Sequence, residues 1–164
     1  MCLASGRRSL RPTATAFWKL CVADRIVIRE AEASDLPRLR TLFTKSRRET
    51  FHWNNRDRYQ PSDFDEQTDG EEILVAAVDG EIAGFAAVWD PQSFLHHLYV
   101  ASEFHGQGVG HALLGAAMNK LTLPVRLKCL VRNVKALSFY QAHGWQRLET
   151  GRDDDGEYYL MQLE

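Results

Sequence analysis

The stretch from Phe94 to Leu121 constrains this chain more than any other. Phe94 to Val100, ending in Leu98-Tyr99-Val100, reads as an apolar strand. The turn His105-Gly106-Gln107-Gly108-Val109-Gly110-His111 follows, and an apolar helix is expected from about Gly108 to Leu121. The first backbone N–H groups of such a helix have no internal partner, and the positive end of the helix dipole lies behind them. Glycine lets an anion approach the backbone closely, so the turn is expected to cradle a diphosphate. Two other glycine signatures do not fit. No early βαβ unit precedes the motif, which excludes the dinucleotide fingerprint, and no Lys-Ser/Thr follows Gly110, which excludes a P-loop.

The rest of the chain reads as one domain. Arg25-Ile26-Val27-Ile28-Arg29 is a first strand. Ser34 is the expected cap of a helix with Pro37 in its first turn, running through Leu36, Leu39, Leu42 and Phe43 to about Thr50. Phe51 to Glu72 is irregular, aromatic and then acidic, with room for a short helix. Ile73 to Val78 and Ile82 to Trp89 flank Asp79-Gly80, a hairpin signal. Pro124 ends the helix after the glycine turn, and Val125 to Val131 is the next strand. Asn133 to Ala142 is a short helix stopped by His143-Gly144. Trp145 to Thr150 and Tyr158 to Leu163 close the chain as a hairpin around Asp153-Asp154-Asp155-Gly156. This order gives an α/β domain with a mixed sheet.

Composition removes several classes. A length of 164 residues suits one domain, and a net charge of -2 gives no basic excess for nucleic-acid binding. No apolar run approaches the roughly 20 residues that span a bilayer, so no membrane association is expected. Cys2, Cys21 and Cys129 are odd in number and lack CxxC spacing, which argues against a disulfide framework or a zinc site, and no metal is expected. A reducing, cytoplasmic setting fits, with Cys129 a buried small hydrophobe. Residues 1–24 carry Arg7, Arg8, Arg11 and Lys19 with no acidic residue before Asp24. That is the composition of a transit segment. The reading adopted is a disordered extension or an over-long start ahead of a domain at residues 25–164.

The glycine turn resembles the Arg/Gln-x-x-Gly-x-Gly/Ala motif of the GCN5-related N-acetyltransferases, the GNAT superfamily. His105 stands at the Arg/Gln position, Gly108 and Gly110 supply both glycines, and Leu98-Tyr99-Val100 supplies the preceding L-x-V strand end. Asn133, Ala136, Phe139-Tyr140 and His143-Gly144-Trp145 are similar to the family's N-x-x-A-x-x-F-Y-x-x-x-G-F, with Trp145 for the usual Phe. The resemblance covers roughly Arg25 to Glu164. It implies an α/β domain of the α+β type, with a central mixed, mostly antiparallel sheet of about seven strands and flanking helices.

The resemblance also implies acetyl-CoA as co-substrate. His105, Gly106, Gln107, Gly108, Val109, Gly110 and His111 would hold the pyrophosphate. The pantetheine arm would lie between two splayed strands, Phe94 to Val100 and Val125 to Val131. Its amides would pair with the backbone around Leu98, Tyr99 and Val100, and Asn133 would contact the arm. Tyr140 would give a proton to the departing thiolate. A homodimer is plausible by the same analogy.

The chemistry asks for a base as well as an acid. An amine of pKa about 10.4 is neutral in only about one molecule in 2,500 at pH 7. His96 lies four residues before Val100 on the strand that lines the acceptor site, and a histidine titrates near neutrality. In a regular strand His97 points to the other face; a bulge would reverse the pair. The acidic stretch Asp63 to Glu72 suits either a solvated loop or a cationic acceptor, and Trp53 is a second candidate for the acceptor pocket. Three readings share these residues: transfer to a small-molecule primary amine, the one adopted; transfer to a protein N-terminus or lysine, or of another acyl group; and a non-catalytic acyl-CoA sensor.

Overall fold

A computed structural model describes residues 25–164. The expected extension at residues 1–24 lies outside the described residues.

Seven strands form one sheet in the order β1-β2-β3-β4-β5-β7-β6. They are β1 (Ile26–Glu30), β2 (Glu72–Val78), β3 (Glu81–Trp89), β4 (Phe94–Val100), β5 (Val125–Leu130), β6 (Gln146–Asp153) and β7 (Gly156–Leu163). Neighbours are antiparallel except β4 and β5, which are parallel. The helices are α1 (Leu36–Thr50), α2 (Ser62–Gln67), α3 (Val109–Met118) and α4 (Val134–Ala142). The expected α+β architecture is what the chain adopts.

Strand alternation divides the helices between two faces. On one face Val75, Phe85 and Ala87 pack against Leu39, Leu42 and Phe43 of α1 and Phe64 of α2. Phe43, Phe64 and Phe85 meet edge to face, with centroids 5.4–6.0 Å apart. Burying each such ring stabilises by about 1.5–3 kcal/mol. On the other face Leu74, Ala76, Ala86, Leu95, Val125, Leu127 and Cys129 pack against Leu113 and Leu114 of α3 and Leu137 and Tyr140 of α4.

Local chemistry sets the joints. Asp79 and Gly80 turn the β2–β3 hairpin with φ of 51° and 83°, the left-handed pair that a two-residue turn requires. Gly84 lets β3 and β4 close up, since a Cβ there would lie 2.6 Å from the Tyr99 carbonyl oxygen. Ser34 does not cap α1. It lies in a short 3-10 turn, Ala33–Asp35, where the Asp35 carboxylate accepts from the Glu32 N–H at 2.8 Å and from the Arg29 guanidinium at 2.7 Å. The Arg29 contact holds the Asp35 carboxyl below its usual range. α3 stops at Met118, short of the expected Leu121. β6 and β7 run up to the turn itself, longer than the expected closing hairpin.

Candidate active site

β4 pairs with β5 at a single register position, Phe94 opposite Arg126, and the two strands part beyond it. On its other edge β4 follows β3 to its end, where the Ala101 N–H donates to the Ala83 carbonyl at 2.8 Å. That bond makes Gly84 and Val100 a non-hydrogen-bonded pair. Alternation then turns the N–H and C=O of both Leu98 and Val100 away from β3, into the gap facing β5. The Tyr99 backbone faces β3, and its ring lies on the α1 face, 5.3 Å from Phe43. The gap is an open strand edge inside a sheet.

The glycine turn lies beyond the end of β4. Gly106 and Gly108 have φ of 74° and 84°, and a Cβ on either would meet nothing within 4 Å. Gly108 precedes α3 as its cap residue, so the N–H groups of Val109, Gly110 and His111 have no intrahelical partner. Gly110 packs near Phe139 and Val100, with 3.7–3.8 Å to a built Cβ. His105 turns back: its Nε2 donates to the Val100 carbonyl at 2.8 Å, bracing the turn against the strand. The Gln107 amide likewise donates to the Glu103 carbonyl at 3.2 Å. His111 bonds through Nδ1 to His143 Nε2 at 2.8 Å, and His143 Nδ1 donates to the Phe139 carbonyl at 2.7 Å. This chain ties the first turn of α3 to the end of α4 and leaves His111 Nε2 as its remaining ring nitrogen. An open, donor-rich turn beside an unpaired strand edge fits the pyrophosphate and amide arm of coenzyme A.

Asn133 caps α4, its Oδ1 accepting from the Ala136 N–H at 3.3 Å, which leaves its amide N–H groups for a ligand. Tyr140 is buried on α4 with its ring against Phe139 and Trp145. Burial pushes its hydroxyl well above the usual phenol range, which keeps it protonated near neutral pH. Cys129 is buried beside it, its thiol pushed up to about 12 by desolvation, which suits the inert role expected of it.

The opposite face of the gap holds the histidines. Val88 pairs with Leu95 and Ala87 with His97, so His96 is an extra residue, a β-bulge. The bulge overturns the regular-strand expectation for His97: both imidazoles face the α1 side. They line a cavity of about 290 Å³ with Phe94, Tyr99, Lys128 and Tyr158. The His97 ring packs 5.2 Å from Phe43, and its Nε2 lies 3.4 Å from the Gln67 carbonyl oxygen. Desolvation lowers its pKa to about 4, so it is neutral near pH 7. His96 is exposed to the cavity, and its Nδ1 contacts Glu71 Oε1.

The acidic stretch is mostly spent on structure. Asp65 pairs with Arg40, Glu72 with Lys120, and Asp63 with Arg47. Arg47, buried over the rings of Phe43 and Tyr59, also reaches Asp155 at 3.3 Å. It thereby joins α1 and α2 to the β6–β7 tip and frames the cavity. Trp53, a sequence candidate for the acceptor pocket, does not line this cavity; its ring lies against Arg132 and Phe51. Sequence reasoning missed Glu71, Arg47 and the His111–His143 bond. Strand parity was the available signal for Glu71: it shares a face with Ile73 and Val75, which pack on the α1 side. Among the described residues no group of three or more His, Cys, Asp or Glu is arranged to hold a metal ion. No described helix is long and apolar enough to cross a membrane.

The sequence profile of the acetyltransferase (GNAT) family matches residues 36–145. The chain belongs to that family and is by class an acetyl-CoA-dependent N-acetyltransferase. The fold is shared with solved structures of low identity. Apo YjaB from Escherichia coli is 17% identical with a TM-score of 0.69, covering 84% of this chain and 96% of its own. PaiA N-acetyltransferase from Thermoplasma acidophilum, in complex with coenzyme A, is 21% identical with a TM-score of 0.68, covering 85% and 98%. The ribosomal-protein-S18-alanine N-acetyltransferase from Escherichia coli is 20% identical with a TM-score of 0.67, covering 84% and 92%. No curated protein matches the sequence significantly.

Proposed function

We propose that the protein moves the acetyl group of acetyl-CoA to the primary amine of a small molecule. The observation that carries this is the two-sided gap. The glycine turn and Tyr140 belong to the α3–α4 side of β4 and β5, and His96 and His97 to the α1 side. A thioester laid along the β4 edge has its sulfur toward Tyr140 and its carbonyl open to the cavity. A cavity of about 290 Å³ is at the lower limit of small-molecule sites, which favours a compact acceptor.

Acetyl-CoA supplies the activated acyl group, and the chain supplies the rest. Backbone N–H groups from Gly106 to His111 bind the pyrophosphate. The Leu98 and Val100 backbone aligns the amide arm, and the Asn133 amide adds a contact. His96 takes a proton from the acceptor ammonium, and Tyr140 gives its proton to the leaving sulfur. Each such positioned group contributes typically ~10²–10⁴-fold. A sensor that only binds acyl-CoA has no use for an acid and a base on opposite sides of the gap. Thiol release from acetyl-CoA in the presence of a panel of primary amines tests the reading. Turnover confined to peptide N-termini or lysines would replace the small-molecule acceptor with a protein one.

A further inference from the structure

We infer that Glu71 is a positioning residue for acceptor deprotonation: it holds His96 with Nδ1–H toward its carboxylate and Nε2 toward the cavity. The inference rests on the reading of His96 as the base.

The Glu71 side chain is only 4% exposed. Taking a carboxylate out of water costs several kcal/mol unless a charge or donors compensate. Here Oε1 meets His96 Nδ1, and Oε2 is buried without a partner. An ionised carboxylate only accepts hydrogen bonds, so the contact requires a proton on His96 Nδ1. The lone pair of the neutral ring is then on Nε2. When that lone pair takes a proton, the new positive charge lies against the one buried carboxylate oxygen that touches the ring. The Glu71 charge is thus better compensated after the proton transfer than before it.

The other charged or titratable groups around the ring do not take this role. His97 on the same strand is neutral. Arg47 of α1 is engaged by Asp63 and Asp155. Lys128 of β5 lies over the Tyr158 ring, and Asp153 accepts from the Asp155 and Gly156 N–H groups at the hairpin tip. The bulge completes the geometry. As the extra residue of β4, His96 leaves the ladder and meets the carboxylate of Glu71, the residue just before β2, two strands away.

The step balances. An N–H bond of the acceptor ammonium breaks and its proton bonds to His96 Nε2. The freed electron pair on nitrogen enters the new C–N bond. The C–S pair leaves with the sulfur, which takes the Tyr140 hydroxyl proton. The second proton released by nitrogen returns the tyrosine to its neutral form, and the imidazolium discharges to solvent.

Two measurements test this. In ¹⁵N-histidine spectra of the wild-type protein, neutral His96 should be the Nδ1–H tautomer; the Nε2–H tautomer would overturn the inference without any variant. In rate measurements, Glu71→Gln should lower the plateau rate roughly tenfold or more, because the ring loses the carboxylate that orients it. The same substitution in a His96→Ala background should change nothing further. If His96→Ala lowers the rate while Glu71→Gln leaves it unchanged, the role of Glu71 falls alone. If His96→Ala keeps the wild-type rate, the base reading falls and this inference with it.

Discussion

Phe94 and Arg126 face each other where β4 and β5 part, and past them the edge of β4 carries no strand partner. An open edge inside a sheet is a standing demand for hydrogen-bonding groups. Here it runs to the glycine turn, whose N–H groups add a second, anion-directed demand. Gly108→Val should therefore damage binding twice. It places a β-branched residue at φ 84°, which costs roughly 1–2 kcal/mol, and its side chain fills the space left for phosphate. Calorimetry should show CoA affinity down by about tenfold or more, at 1.4 kcal/mol per decade. Unchanged affinity in the folded variant would remove the turn from the cofactor site.

Tyr140→Phe keeps the ring that packs against Trp145 and Phe139 and removes the hydroxyl. The acetylation rate should fall by ~10²-fold or more, with CoA affinity and melting temperature little changed. Full turnover in this variant, with chemistry rate-limiting, would eliminate Tyr140 as the proton donor.

His97 links the site to acid stability. Burial sets its pKa at about 4 in the folded protein, against about 6.5 when unfolded. As pH falls the unfolded chain takes the proton first. Stability is therefore full above about pH 6.5 and is lost progressively toward pH 4, by at most about 1.4 kcal/mol per pH unit for this one group. Denaturant unfolding of His97→Gln from pH 7 to 4.5 should show a shallower loss than the wild type. An identical slope would contradict the burial assigned to His97.

Much of this was legible in the residues, and the failures have physical causes. Asp79-Gly80 as a hairpin turn and the glycine run as a turn opening a helix were legible because each needs positive φ that its residues tolerate. β4 was read to the residue from its apolar run. The face of His97 was not, because the bulge is set by how Ala87 and Val88 pair across the sheet and not by the local sequence. Ser34 lost its expected capping role because it falls inside a 3-10 turn that Asp35 closes by binding the Glu32 N–H and Arg29 of the preceding strand. Glu71 looked like any member of an acidic run. Only the register of three strands brings it to His96.

Acetyl transfer from acetyl-CoA to an amine is read in one assay: the protein is incubated with acetyl-CoA and a panel of primary amines at pH 8, and thiol release and product mass are followed together. At least one amine should gain an acetyl group in equal amount to the CoA thiol released, with both signals slowed by ~10²-fold or more in Tyr140→Phe. Tight CoA binding with no acetylated amine, small molecule or peptide, and thiol release no faster than hydrolysis would rule out the transfer.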